Sequence, residues 1–235
     1  MAFRLGVDNM PRRLNVGCGH DKRAGYLNID VHPACEPDLL ISGHDLSCLP
    51  DGYFEEIRAW DVLEHIPHAF TVSALLDWSA LLQMGGKIIL QTSSIFGVVD
   101  RMRAAPSFET EYNWTRCLFG NQAHSGDFHY CGFTEATLRV FLEAAGFRAP
   151  PFKLRDGWLF SCDAVKVREW TDLLALADED MIAAAYQRFL RRAPAPDALQ
   201  LHMKELQDGR PRRALVQMLA AAPEHLYKLG KEIES

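Results

Sequence analysis

Three side chains suited to proton transfer lie within six consecutive positions: His124, Asp127 and His129. Because an unperturbed histidine titrates near pH 6.5, it can take a proton from a hydroxyl group at neutral pH. His129 is our first candidate for such a general base, followed by Asp127 and His124. The alternative is that His129 is a structural histidine that anchors its own loop, and the sequence leaves both interpretations open.

A pair of glycines has the spacing of a turn that binds a nucleotide-like ligand. The apolar run 14–16 ends at Gly17, and Gly19 follows after Cys18. Glycine lets the backbone approach a ligand closely and adopt positive φ angles, and ligands of open α/β sheets bind at such strand ends. A short Gly-x-Gly is weak evidence alone, since most matches are ordinary turns after a strand. The residues that follow therefore decide the interpretation.

Acidic residues follow the next apolar stretches. Asp30 closes the stretch 26–29, Asp45 comes shortly after 39–41, and Asp61 ends the stretch 54–60. A carboxylate at the tip of a strand can accept hydrogen bonds from two adjacent ribose hydroxyls. We assign that role to Asp30, and the alternative is a turn-forming Asp before Val31. Asp61 would lie at the same ligand-binding edge of the sheet.

Five motifs in this order resemble the class I S-adenosylmethionine-dependent methyltransferases. They are N-V-G-C-G at 15–19, N-I-D at 28–30, H-D-L at 44–46, D-V-L-E-H at 61–65 and M-G-G-K at 84–87. The resemblance covers about residues 12–165 and is closest to a bacterial branch associated with cell-surface glycan enzymes. It implies an α/β fold, namely a Rossmann-like seven-stranded sheet with an antiparallel last strand. It also implies S-adenosylmethionine as cofactor.

The resemblance also implies which residues contact that cofactor. The predicted cofactor-binding residues are Asn15, Gly17, Cys18, Gly19, Asp30, Asp45, Leu46 and Asp61. In the family the pair Asp45-Leu46 would meet adenine, through a carboxylate to the exocyclic amine and a backbone amide to a ring nitrogen. The alternative for Asp45 is the N-cap of a short turn.

The segment 92–132 indicates the methyl acceptor. It reads as a long irregular loop between the fifth strand and the next helix, and it mixes aromatic residues with arginines and histidines. Long loops in compact domains are usually functional, and this composition suits a lid over a polar ring. We therefore predict O-methylation of a sugar or glycan hydroxyl, in glycan biosynthesis, on a small-molecule or glycan acceptor. The alternative is that the aromatic residues only pack the loop onto the domain.

Two other classes of function stay open. A nucleotide-binding oxidoreductase of the dinucleotide fold would also use Gly17 and Gly19, but Lys22 stands where that fold places a third glycine. A non-catalytic adaptor would keep the methyltransferase fold as a platform for the C-terminal region.

Several elements must position these residues. Only ten residues separate Gly19 from Asp30, so we expect the first helix to be a single turn or missing. Apolar spacing predicts a strand over 54–60, a helix over 68–83 ended by Gly85-Gly86, and a strand over 87–91. Residues 152–166 predict an antiparallel strand pair that turns at 156–157.

The composition changes near residue 168. Residues 1–168 are predicted to form the methyltransferase domain, and 169–235 a helical module with helices over 179–191, 196–207 and 211–221. The stretches Y-Q-R-F-L-R-R-A-P at 186–194 and A-P-E-H at 222–225 resemble phycobilisome-linker repeats. We interpret this module as a docking or oligomerisation element, so a homo-oligomer is one expected assembly.

Composition and charge exclude several classes of function. The 235 residues are 48% hydrophobic and 24% charged, which is a globular composition. A formal net charge of −6 argues against nucleic acid as the main partner. The six cysteines contain no C-x-x-C pair, and His65 and His68 lack an obvious third ligand, so no metal is expected. Without a signal peptide or a run of about 20 apolar residues, the protein is predicted to be cytoplasmic, with no membrane span.

Overall fold

The strands that carry the predicted cofactor motifs lie side by side in one sheet. The computed structural model describes residues 9–124 and 126–234. The strands are β1 (Arg13–Val16), β2 (Leu27–Asp30), β3 (Leu39–Leu40), β4 (Phe54–Trp60), β5 (Leu82–Ser93), β6 (Phe147–Arg148), β7 (Lys153–Arg155) and β8 (Leu159–Lys166). Their order is β3-β2-β1-β4-β5-β8-β6, with β7 also paired to β8. Strands β1 to β5 are parallel and β8 is antiparallel to β5, which confirms the expected fold class.

Two short strands occupy one edge of this sheet where one strand was expected. Both β6 and β7 pair antiparallel with β8. Pro150 and Pro151 stand between them, and a proline nitrogen has no hydrogen to donate to the strand ladder. The interruption explains why the sheet has eight strands rather than the expected seven.

The connection from β1 to β2 contains turns and no helix. This confirms that the first helix is missing, as the ten-residue spacing predicts. The carboxyl end of β1 is therefore followed directly by loop residues 20–26.

The helix before β5 and β5 itself have different bounds from those predicted. Helix α1 (His68–Leu81) ends two residues before position 83, and β5 already begins at Leu82. The register between β4 and β5 shifts at Phe54 to Glu56. Gly85 and Gly86 therefore lie in an irregular part of the strand and do not end the helix.

The segment 92–132 is largely helical, which corrects the prediction of an irregular loop. Helices α2 (Ile95–Ala104) and α3 (Phe108–Phe119) occupy much of it. The hydroxyls of Ser94 and Ser107 cap them by accepting from the amides of Gly97 and Thr110. Helix α3 contains no fully buried residue, and its half-buried residues Trp114, Cys117 and Leu118 lie on one side of the helix.

After β5, helix α4 (Glu135–Ala144) and the C-terminal helices complete the fold. The C-terminal helices are α5 (Asp178–Ala185), α6 (Pro196–Gln207), α7 (Arg212–Ala220) and α8 (Pro223–Glu234). The helix predicted over 196–207 matches α6, and the one predicted over 211–221 matches α7 within one residue at each end. The helix predicted over 179–191 ends in a π-helical turn, Tyr186–Leu190. Helix α8 begins at Pro223 and was not predicted. Among residues 9–124 and 126–234, no helix is long and apolar enough to cross a membrane.

The C-terminal helices share a continuous core with the sheet. Apolar residues of β1, α1, α5 and α7 belong to a single buried cluster. The indole Nε1 of Trp170, which is 3% exposed, donates to the carbonyl of Leu76 in α1 at 3.1 Å. Arg213 of α7 pairs with Asp77 and Asp51. The domain boundary at residue 168 stays a prediction. A protein truncated there would lose these contacts between the C-terminal region and the rest of the fold.

We expect Trp170→Ala to lower the free energy of unfolding by about 3–5 kcal/mol, because it removes a fully buried aromatic side chain. Urea denaturation followed by circular dichroism measures the change. Tyr227→Ala is the matched control, since Tyr227 is 74% exposed on α8. Equal stability of the two variants would show that the C-terminal region does not support the core of the sheet.

Candidate active site

A cavity of about 720 Å³ lies at the carboxyl ends of β1, β2 and β4. Its size falls within the range of about 300–1,000 Å³ that is typical of small-molecule sites. The wall combines the glycine turn after β1, Asp30, the turn 42–44, the segment 61–67 and residues 124, 126 and 130. Of the predicted cofactor residues, Gly17, Gly19, Asp30 and Asp61 line this cavity.

The glycine turn leaves its backbone open to the cavity. Gly17 has a φ of +60°, and a Cβ there would lie 2.5 Å from Cγ2 of Val62, so only glycine fits. Gly19 has a φ of +49°, and no atom lies within 4 Å of where its Cβ would be. A ligand can therefore lie directly against the main chain at Gly19.

Asp30 ties this turn to the tip of β2. Its Oδ2 accepts a hydrogen bond from the amide of Gly19 and its Oδ1 accepts one from the amide of His32, both at 2.8 Å. Each carboxylate oxygen can accept a further hydrogen bond. The side chain can thus hold the turn and bind a pair of hydroxyl groups at the same time.

Asn15 and Cys18 do not line the cavity. Asn15 is fully buried; its Nδ2 donates to Oδ1 of Asn28 at 3.0 Å and its Oδ1 accepts from Arg58 at 3.0 Å. Cys18 is buried behind the turn, and burial raises the pKa of its thiol to about 11. Both residues therefore support the turn from behind.

Asp45 and Leu46 are likewise not among the described residues that line the cavity. Asp45 is exposed and accepts from the hydroxyl of Ser47, while the side chain of Leu46 is buried in the core. The turn just before them, 42–44, lines the cavity instead. The wall that Asp45 and Leu46 were expected to form is thus formed by residues one to three positions before Asp45 in the chain.

Asp61 lies at the mouth of the cavity in a left-handed conformation, with a φ of +53°. Nε2 of Gln91 donates to its Oδ2 at 2.9 Å. The residue is accessible to solvent, yet enough protein surrounds the carboxyl that desolvation raises its pKa. Gln91, His129 and two arginines oppose that rise.

Glu64 is buried just behind the cavity. Its Oε2 accepts from the hydroxyl of Thr92 at 2.8 Å. Burial, and then the charge of Asp61, raise the pKa of Glu64 to about 7. This carboxyl therefore titrates close to neutral pH.

Two histidines meet beside Asp61. The rings of His65 and His129 are 4.6 Å apart between centroids and nearly perpendicular. Nδ1 of His65 lies 3.1 Å from the carbonyl oxygen of Phe128, and Nδ1 of His129 lies 2.8 Å from that of Cys117. A carbonyl only accepts, so in both neutral rings Nδ1 carries the proton and Nε2 keeps a lone pair. Burial, and then His129, lower the pKa of His65, which keeps it neutral at pH 7.

His129 faces a second cavity, of about 320 Å³. The other lining residues are Asn113, Arg116, Cys117, Gly120 and Asn121. Gly120 has a φ of +78°, and its Cβ would lie 2.0 Å from the carbonyl oxygen of Asp127, so glycine allows the end of α3 to approach His129. Because His65 lines the larger cavity, each ring of this pair lines one of the two cavities.

The structure does not bring the three predicted catalytic side chains to one point. Asp127 lines neither cavity, and its Oδ2 accepts from the amide of Ala123 at 3.2 Å. His124 lines the larger cavity, with its ring 4.8 Å from that of His32. Sequence reasoning placed His65 in the motif 61–65 and weighed it as a metal ligand, but did not pair it with His129. Across residues 9–124 and 126–234, no cluster of three or more His, Cys, Asp or Glu could hold a metal ion.

Comparison with known proteins finds no matching family model and no matching curated protein. Among solved structures, a 1,6-didemethyltoxoflavin-N1-methyltransferase of Burkholderia thailandensis, with bound S-adenosylhomocysteine, is 15% identical over 66% of this chain and 71% of that chain, with a TM-score of 0.46. A SAM-dependent methyltransferase of Methanosarcina mazei is 18% identical over 67% and 92%, with a TM-score of 0.48. One from Archaeoglobus fulgidus is 17% identical over 63% of each chain, with a TM-score of 0.42. Such low identities and scores do not by themselves establish an activity.

We expect Glu64→Gln to flatten the pH dependence of stability. The raised pKa means that the folded state holds the proton of Glu64 more tightly than the unfolded state, so the protonated carboxyl stabilises the fold. This stabilisation is complete below about pH 4.5 and is lost as the pH rises through 7. From pH 5 to 8 the free energy of unfolding of the wild type should fall by on the order of 1–3 kcal/mol more than that of the variant. Urea denaturation at several pH values tests this, with exposed Glu109→Gln as control. Parallel profiles for all three proteins would contradict it.

Proposed function

We propose that the protein is an S-adenosylmethionine-dependent methyltransferase that methylates a hydroxyl group of a sugar or glycan. The observation that carries this proposal is the cavity in which the open backbone of Gly19, the carboxylate of Asp30 and the mouth residue Asp61 face one space. These groups come from the ends of three adjacent parallel strands, where open α/β sheets bind ligands.

The residues present fit this cofactor. The glycine turn gives the close backbone approach that a methionine moiety needs, and Asp30 has acceptor capacity left for two ribose hydroxyls. The turn 42–44 offers main-chain groups to adenine. Asp61 offers a carboxylate to an ammonium group. Asp45 stays a candidate for the adenine amine through its place next to this turn.

S-adenosylmethionine, when bound, supplies a methyl group that is already activated. The protein then has two tasks, to hold the acceptor in line and to remove its proton. His129, with Nδ1 held by a carbonyl, presents Nε2 as the base, and His65 stands between it and the cofactor cavity. Proton transfer to Nε2 would leave an electron pair on the acceptor oxygen for the new bond to the methyl carbon, and S-adenosylhomocysteine would be the leaving group as the bond from that carbon to sulfur breaks.

The smaller cavity is the proposed acceptor site. Two amides, a guanidinium and an imidazole line it, and these groups hydrogen-bond readily with the hydroxyls of a sugar. Arg116 donates to Oδ1 of Asn121 at 2.6 Å, which holds the guanidinium beside the opening. The glycan role rests on the sequence resemblance, the cytoplasmic location rests on the lack of a signal peptide and of a long apolar run, and both stay predictions.

The competing functions differ in what they require of the site. A dinucleotide oxidoreductase would use a third glycine at position 22, where Lys22 donates to the carbonyl of Glu36 outside the cavity wall. An adaptor would need no base beside the cofactor cavity. The C-terminal helices, whose resemblance to phycobilisome-linker repeats stays a prediction, are proposed to dock the enzyme to a partner or a second copy.

We expect Asp30→Ala to weaken binding of S-adenosylmethionine and S-adenosylhomocysteine by about 10- to 100-fold, since hydrogen bonds to a charged group contribute about 1.5–3 kcal/mol. Calorimetry measures both ligands, with NAD as a third probe. Asp163→Ala, at an exposed position of β8, is the control. Unchanged affinity in Asp30→Ala would remove this residue from the site, and preferential binding of NAD would favour the oxidoreductase.

We expect His129→Ala to lower kcat by about 10²- to 10⁴-fold with little change in cofactor affinity, because general-base catalysis contributes on that order. A screen of methyl glycosides and nucleotide sugars for release of S-adenosylhomocysteine supplies the acceptor. His65→Ala tests the neighbouring ring, and exposed His68→Ala is the control.

A neutral base is required, so kcat should fall at acid pH. If His65 is the base, the fall lies below about pH 6.5, since its pKa is lowered. Wild-type turnover in His129→Ala would move the role of base to another residue, and an amine or thiol acceptor would refute the sugar assignment.

A further inference from the structure

A line of hydrogen bonds reaches Asp61 from outside the cavity. Nη1 of Arg155 donates to Oε1 of Gln91 at 2.8 Å, and Nε2 of Gln91 donates to Oδ2 of Asp61 at 2.9 Å. The backbone amide of Asp61 also donates to the carbonyl of Gln91 at 2.9 Å. Gln91 is 4% exposed. The line therefore connects β7, β5 and the residue that follows β4.

Arg155 sets the direction of the Gln91 amide. A guanidinium has only N–H donors, so it must face the carbonyl oxygen of the amide. The NH₂ group of Gln91 then faces Asp61 and donates to it. Reversing the amide would place two donors together at Arg155 and two acceptors together at Asp61.

The contacts of Asp61 leave one of its carboxylate oxygens for a ligand. Its backbone is left-handed, a conformation that Asp adopts more readily than most residues with a side chain. Oδ2 is taken by Gln91, and no hydrogen bond to Oδ1 occurs within the described part of the chain. Because Asp61 lines the larger cavity, Oδ1 is the oxygen that can meet a ligand there.

We propose that Gln91 and Arg155 are positioning residues that keep the carboxylate of Asp61 ionised and directed at the ammonium group of the cofactor's methionine moiety. This inference rests on the proposed function. The charged and titratable groups that face Asp61 are Arg58, Arg155, His129, Glu64 and Cys117. Gln91 differs from them because it contacts the carboxylate directly and carries no charge, so replacing it removes a hydrogen bond without adding or removing a charge.

The test is calorimetry of the full chain with S-adenosylmethionine and S-adenosylhomocysteine from pH 5 to 8. We expect Gln91→Met to weaken binding of both about tenfold at pH 7 and to shift the acid loss of affinity to higher pH. The shift follows because a hydrogen bond to the charged form lowers a carboxyl pKa, and its removal raises that pKa. Arg155→Met should act in the same direction, and Arg155→Lys, which keeps a donor for Oε1, should restore binding. Exposed Arg103→Met is the control.

The outcomes separate this inference from the proposed function. If the wild type binds neither ligand, the proposed function itself fails. If the wild type binds and both methionine variants keep its affinity, or lose affinity by one constant factor at every pH, Gln91 and Arg155 do not position Asp61. In an Asp61→Asn background, Gln91→Met should change the affinity no further. Should Gln91→Met not fold, Arg155→Met decides, because its side chain is exposed and its replacement leaves the core intact.

Discussion

The two hydrogen bonds that the Asp30 carboxylate accepts hold the ligand-binding edge of this sheet together. They join the glycine turn after β1 to the tip of β2. The chain that connects these two strands contains no helix. The missing helix leaves loop residues 20–26 with backbone groups that need partners. Asn28 supplies them, since its Oδ1 accepts from the amide of Arg23 and its Nδ2 donates to the carbonyls of Arg23 and Tyr26. Asn15 completes the anchorage by donating to the carbonyl of Asp21. The asparagines of the first two motifs thus hold a short loop in place of a helix.

This arrangement explains which of the predicted residues line the larger cavity. Residues at strand ends are placed by the sheet alone, so Gly17, Gly19, Asp30 and Asp61 lie at the cavity as the motif order predicts. Asn15 was assigned to the ligand because a motif does not show which way its side chains point. In a strand they alternate between faces, and Asn15 faces Arg58 and Asn28.

The parts that escaped prediction depend on contacts distant in sequence. Helix α3 packs through half-buried residues, and its apolar residues are mixed with charged and polar ones, which is the composition that favoured a loop over 92–132. The pairing of His65 with His129 joins positions 64 residues apart, and only the close approach at Gly120 brings the second ring there. A local pattern could show that each histidine was available but could not show that their rings meet. The tautomers follow from that packing, since in each ring the Nδ1–H group donates to a backbone carbonyl.

Helix α1 links the C-terminal region to the cavity wall. On its outer side the carbonyl of Leu76 accepts from the indole of Trp170, and Asp77 accepts from Arg213. On its inner side the indole of Trp78 donates to the carbonyl of Gly43 at 2.6 Å, and Gly43 lines the larger cavity. A Cβ at Gly43 would also lie 2.9 Å from Val16 of β1, so this turn is held tightly against the sheet. Helix α1 therefore contacts both the C-terminal region and the turn 42–44 that lines the larger cavity, so loss of the C-terminal contacts would loosen the element that holds this turn in place.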